Sequence, residues 1–170
     1  MIRIFFAISV CLGTQITQAK DFHIASLIDI KALNCDQLFQ KPESKIAILL
    51  RDFNAKGSRQ IKLNKSKQIM TIGGNTYSGI QGHQYHRTAY LEQDDLAVDS
   101  DVFGVRLIKI AVQKHQLANT QSKGYYFVFR GEPTTVLYHL RKVVGDDWNI
   151  ENTLDETPQG NSKLSCGYTR

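Results

Sequence analysis

The sequence predicts an α+β domain: an antiparallel sheet of about five to seven strands with two amphipathic helices. Three observations predict it. Two segments, "PESKIAILLRDFNAKG" and "EPTTVLYHLRKVVG", repeat apolar residues at helical spacing. Several short apolar stretches with strand character lie between them. The resulting order is helix, several strands, helix, strand, which suits one layer of helices on an antiparallel sheet.

The elements follow in chain order. Residues 1–19 read as a signal peptide: Arg3 supplies a positive start and Ile4–Leu12 an apolar run too short to span a bilayer. Thr17 and Ala19 put small residues at the cleavage positions before Lys20. Val10 ahead of Cys11 is too bulky for lipoprotein processing, and no later apolar stretch is long enough to cross a membrane. The expected location is periplasmic or secreted, with residues 20–170 forming one domain large enough for a real core. Asp21–Ile30 reads as a first strand. In the first helix Ile46, Leu49, Leu50 and Phe53 make one stripe, with Pro42 in the first turn, Glu43 complementing the positive end and Gly57 as the stop.

Short strands are expected near Gln60–Leu63 and Gln68–Ile72, then a loop, then a strand at Tyr85–Leu91. Asp101–Gln113 is the strongest strand. Phe103, Val105 and Leu107 alternate onto one face and Ile108, Ile110 and Val112 onto the other, which predicts a central position. Gly124–Gly131 reads as its hairpin partner across "KHQLANTQSK". In the second helix Val136, Leu137, Leu140, Val143 and Val144 form the stripe, opened at Pro133 and closed by Gly145. "DWNIEN" reads as a last short strand, and the polar tail as a loose return to Cys166.

Two cysteines remain beyond the signal segment, Cys35 and Cys166. An exported chain with such a pair usually oxidises it, which excludes a catalytic thiolate. Without Arg3, the 21 basic residues against 16 acidic leave a net charge of +4, too mild to demand nucleic acid. The basic run Lys56, Arg59, Lys62, Lys65 and Lys67 has no interleaved aromatics for base stacking and reads as the solvated edge of a strand pair.

"GHQYHRTAY" places His83 and His86 three apart. On a strand that spacing sends them to opposite faces, which argues against a shared metal. "EQDDLAVDSD" holds five acids but lacks the calcium-loop pattern at Phe103 and Ile110, and reads as a solvated acidic turn. "NKS" at Asn64 is a glycosylation sequon. No metal or cofactor is expected.

Gly73–His86 has no Asp, Glu, Lys or Arg, with four glycines and two tyrosines. That is the composition of an adaptable contact loop, in which tyrosines supply area and small polar residues supply hydrogen bonds. The candidate binding residues are Tyr77, Ser78, Gln81, Gln84, Tyr85 and His86. The expected function is that of an exported, non-enzymatic binding protein with a protein partner, such as an inhibitor or immunity protein acting on an envelope-targeting enzyme. The alternatives are a structural envelope component and a secreted hydrolase with a ribonuclease-like site drawn from His86, His139, Arg87 and Lys109. The hydrolase needs His86 and a carboxylate brought together by the fold.

Overall fold

The computed structural model describes residues 20–35, 38–56, 60–117, 120–146, 148 and 154–168. The expected signal segment, Gly57, Arg59 and most of "DWNIEN" lie outside the described residues. The fold is mixed α/β and mostly strand. A six-stranded, wholly antiparallel sheet runs in the order Ile80–Arg87, Leu91–Val102, Val105–Leu117, Thr120–Phe129, Ser162–Tyr168, Leu154–Glu156, and a four-stranded sheet in the order Asp21–His23, Asn75–Ser78, Ile69–Ile72, Lys62–Asn64.

The predicted first strand divides. Only β1 (Asp21–His23) is extended. A 3-10 turn (Ile24–Leu27) and the short helix α1 (Ile30–Leu33) follow. Asp29 explains the switch: its carboxylate caps α1 through Ala32 N at 2.8 Å and also receives the Lys45 backbone N–H at 3.0 Å, tying α1 to the next helix. That helix, α2 (Ile46–Lys56), begins after Pro42 rather than around it, and buries Ile46, Leu49, Leu50 and Phe53 as their spacing predicts.

β2 (Lys62–Asn64) and β3 (Ile69–Ile72) form the expected hairpin. β2 is the outer strand of its sheet, and Lys62, Lys65 and Lys67 are solvent-exposed on it and its turn. The expected loop at residues 73–84 is instead two strands, β4 (Asn75–Ser78) and β5 (Ile80–Arg87). Its glycines serve the turns around β4: Gly73, Gly74 and Gly79 have φ of 62°, 87° and 84°, a region open to glycine at no steric cost.

The acidic stretch is likewise not a turn. It is β6 (Leu91–Val102), a long inner strand whose Leu96, Val98, Ser100 and Val102 alternate into the core. β7 (Val105–Leu117) is central as expected, but a register shift between Leu107 and Lys109 places Ile108 in a bulge. Leu107, Ile110 and Val112 therefore all join the main core. Ile108 packs against a second, smaller apolar cluster of Ala111, Tyr126 and Val128, so the strand is apolar on both sides, with Ile110 and Val112 on the opposite face from the one expected of them. β8 (Thr120–Phe129) and β7 both run far into the presumed ten-residue connection.

α3 (Pro133–Val144) stands where its period predicts, ended by Gly145 at φ 123°, with Val136 and Leu140 buried and Val143 exposed. The tail is no loose return. β9 (Leu154–Glu156) and β10 (Ser162–Tyr168) form a hairpin, and β10 pairs with β8 along its length. This delivers Cys166 to Cys35, and the two form a disulfide with Cα atoms 5.3 Å apart. All three helices and the small sheet thus share one core with the inner face of the large sheet. None of the helices is long and apolar enough to cross a membrane among the described residues.

Candidate functional site

β5 has only β6 as a strand partner, so it forms one edge of the large sheet. Strand alternation distributes its side chains to both faces, and β6 answers on each. On the inner face His83 Nε2 meets Asp94 Oδ1 at 2.8 Å, with both side chains mostly buried. On the outer face His86 Nε2 lies 3.6 Å from Asp95 Oδ2. Two histidines three apart therefore face opposite ways, each opposed by one of two adjacent aspartates. They do not converge, and no cluster of three or more metal-ligating side chains occurs among the described residues.

The outer face carries a connected polar group. The register sets Gln84, Asp95, Ala111 and Tyr126 in one row across four strands, with His86, Gln93 and Gln113 in the next. Asp95 is only 10% exposed, a burial that demands compensation. It accepts hydrogen bonds from Gln93 Nε2 at 2.7 Å, Lys109 Nζ at 3.2 Å and Tyr126 Oη at 3.3 Å. Gln113 Nε2 then holds Gln93 Oε1 at 2.6 Å. Burial first, and then the Asp95 charge, push the Tyr126 hydroxyl up to about 12. Tyr126 thus stays a neutral donor to the carboxylate, and the ammonium of Lys163 lies 4.8 Å above its ring.

The six expected binding residues separate. Tyr77 does not lie in an exposed loop. It sits on β4, fully buried, stacked on Phe22 with centroids 5.6 Å apart, and its hydroxyl donates to Asp52 Oδ2 at 2.6 Å. Ser78 is half-buried beside it, with its hydroxyl 3.4 Å from Phe22 O. Gln81, Gln84, Tyr85 and His86 all lie exposed on β5, with Gln84 and His86 on the outer face beside Asp95 and Gln93 and Tyr85, 41% exposed, on the other face opposite Asp94. Of the hydrolase candidates, Lys109 joins His86 at Asp95, while His139 lies on α3 against Tyr138. Arg87 pairs with Glu92 at 3.5 Å.

Gln93, Asp94 and Asp95 carry no site signal while the acidic stretch reads as a turn, and Gln113 and Tyr126 reach them only through strand pairing that no local pattern reveals. The strand signal is present: Leu96, Val98 and Val102 keep a strict two-residue period through those acids. Comparison with known families, characterised proteins and solved structures yields no match to this chain.

Proposed function

We propose that this chain is an exported binding protein that engages a protein partner along β5, an inhibitor or immunity protein acting on an envelope-targeting enzyme being the concrete form. The observation that supports the reading is that Gln81, Gln84, Tyr85 and His86 are all exposed along one edge strand, Gln84 and His86 on one face and Tyr85 on the other, where a partner strand added at the edge would meet both. An edge strand offers unpaired backbone groups to an incoming chain. Tyrosine beside uncharged polar residues supplies contact area at low entropic cost. Tyr90, 65% exposed, lies in the turn that follows β5. Export rests on the sequence of residues 1–19 and is compatible with the Cys35–Cys166 bond.

A photo-crosslinking residue at position 85 tests the reading. It should capture a discrete partner from envelope extract, and the same group at Tyr138 on α3 should not. With that partner purified, Tyr85→Ala should weaken binding by more than about 1 kcal/mol if Tyr85 is a hot spot. Equal capture from both positions, or unchanged affinity, would remove β5 as the site.

One observation favours the hydrolase as a second reading: His86 and Asp95 stand 3.6 Å apart with Lys109 on the same carboxylate. A carboxylate-oriented histidine can serve as general base, and a lysine beside it can face a developing anion. A phosphodiesterase or ribonuclease activity lost in folded His86→Ala protein would establish this reading over the first. Activity retained in that variant would discard it.

A further inference from the structure

The basic residues are not spread evenly along the chain. Residues 53–91 hold Lys56, Arg59, Lys62, Lys65, Lys67 and Arg87, and no aspartate or glutamate. The remainder holds 15 basic residues against 16 acidic, so the whole net positive charge belongs to this one segment. The fold keeps the segment together. It supplies β2, β3, β4 and β5, and both β2 and β3 lie against β5. Gln68 O accepts the Ile80 N–H at 3.1 Å, which fixes the β2–β3 turn at the start of β5. Lys62, Lys65 and Lys67 are exposed on that hairpin, and none forms an ion pair among the described residues.

The turn overlooks the outer face of the β5 edge. Lys65, Gly82, Gln84 and Lys109 line a shared recess of about 200 Å³ there. Asp95 also reaches the recess, but Lys109 at 3.2 Å answers its charge, with hydrogen bonds from Gln93 and Tyr126. Asp94 is held by His83 and Glu92 by Arg87. The charge left over along this edge is positive.

The same edge presents backbone groups of defined direction. Thr88 N donates to Leu91 O at 2.8 Å, and antiparallel bonding alternates from there along the register. Gln84 and His86 thus bond to β6. The N–H and C=O of Tyr85 and Arg87 point away from it, to the side where β5 has no strand partner among the described residues.

We propose that the occupant of β5 is an extended acidic segment of the partner protein, added as a further strand. Its alternate carboxylates lie on the outer face over the recess, toward Lys65, with Lys62 and Lys67 adding to the field. The proposal rests on the β5 reading and names the chemistry of the partner. Alternation follows from strand pairing, because successive side chains take opposite faces. Two observations select a peptide over another polyanion. A peptide strand can pair with the outward groups of Tyr85 and Arg87, as in other strand additions. No aromatic residue stands between Lys62 and Lys67 for bases to stack on.

The test uses protein expressed from the full sequence and fluorescent peptides of about ten residues, the length of a long strand. One peptide alternates Glu with Thr, one alternates Gln with Thr, and one is the Glu–Thr peptide N-methylated throughout. Anisotropy should show saturable binding of the Glu–Thr peptide, about tenfold weaker binding of its Gln counterpart, and none of the N-methylated form. A photo-crosslinking group at position 85 should take up the Glu–Thr peptide. Lys62→Gln, Lys65→Gln and Lys67→Gln combined should keep the melting temperature and weaken that peptide about tenfold. Lys65→Gln alone carries the same comparison if the combined variant melts lower. Equal binding of the Glu and Gln peptides, undiminished binding by the lysine variants, or retained binding of the N-methylated peptide would overturn the proposal. So would tighter binding of an oligothymidylate of equal charge, which would assign the patch to nucleic acid. An envelope partner that crosslinks at position 85 equally in the parent and the lysine variants would leave β5 as the site and overturn its acidic occupant alone.

Discussion

Tyr77 shows how one side chain changes meaning with burial. In the sequence it is a tyrosine among glycines, the mark of a contact surface. In the fold its ring stacks on Phe22 and its hydroxyl, with the Asn75 side-chain amide at 2.9 Å, satisfies Asp52. Burial, and then the hydrogen bond to Asp52, hold the Tyr77 hydroxyl far above its ordinary range, so it remains a donor. Tyr77→Phe keeps the ring and takes away one of the donors to that carboxylate; the expected cost is about 1–3 kcal/mol. Tyr77→Ala also empties the ring's volume and should cost about 3–5 kcal/mol, as large aromatic deletions do. Tyr85→Ala, on the exposed edge, should stay within about 0.5 kcal/mol of the parent. Denaturant unfolding of the three variants checks the order, and a Tyr85→Ala protein less stable than Tyr77→Phe would reverse the assignment of the two tyrosines.

At the level of elements, local periodicity was legible and long-range pairing was not. The stripes Ile46–Phe53 and Val136–Leu140 are complete within their own helices, so a single stretch of chain reveals both. Leu49→Ala and Leu140→Ala should each cost about 2–5 kcal/mol, read from equilibrium unfolding. β6 was hidden because the groups that make its acids tolerable come from elsewhere: His83 and His86 from β5, Lys109 from β7 and Tyr126 from β8. Read alone, "EQDD" resembles solvent-exposed chain. The β7 bulge was hidden for the opposite reason, since Ile108 preserves the apolar run while shifting every later residue to the other face. The candidate site inherits both failures: its β5 half was legible from composition, and its β6–β8 half was not. The pairing of the terminal elements was legible through the cysteines alone. Cys35 follows α1 and Cys166 lies on β10, 131 residues apart. In the chain-entropy account a closure of that length contributes roughly 4–5 kcal/mol. Cys35→Ser should lower the melting temperature markedly under oxidising conditions, whereas reducing agent should bring the parent down to the variant. A variant that melts with the oxidised parent would mean the bond constrains little.

Across the whole molecule, tyrosine hydroxyls fasten the layers together. Tyr77 joins β4 to α2 through Asp52. Tyr125 joins β8 to α1, donating to the Ala32 carbonyl at 2.7 Å. Tyr168 joins β10 to α2, accepting from Asn54 Nδ2 at 3.0 Å, and Tyr126 joins β8 to β6 through Asp95. Burial is the leading cause that raises all four above the ordinary tyrosine value of 10.0, Tyr126 to about 12 and Tyr77 and Tyr125 further. The folded protein therefore holds these protons more tightly than the unfolded chain does. Their contribution is complete below pH 10, and stability falls as pH rises from there through the folded values, because unfolding then releases protons. For Tyr126 the loss runs between about pH 10 and about pH 12. The denaturant midpoint should decline steeply across that interval, and beyond the signal of the exposed Tyr85, Tyr90 and Tyr138 a tyrosinate step from the four buried hydroxyls should appear with unfolding rather than ahead of it, a signal to which lysine titration makes no contribution. Tyr126→Phe should flatten the decline between those two values, because one of the released protons is gone. Four tyrosines that ionise near pH 10 in a protein still fully folded would show that these hydroxyls are open to water, and the fastening of β4, β8 and β10 to the helices would have to come from packing alone.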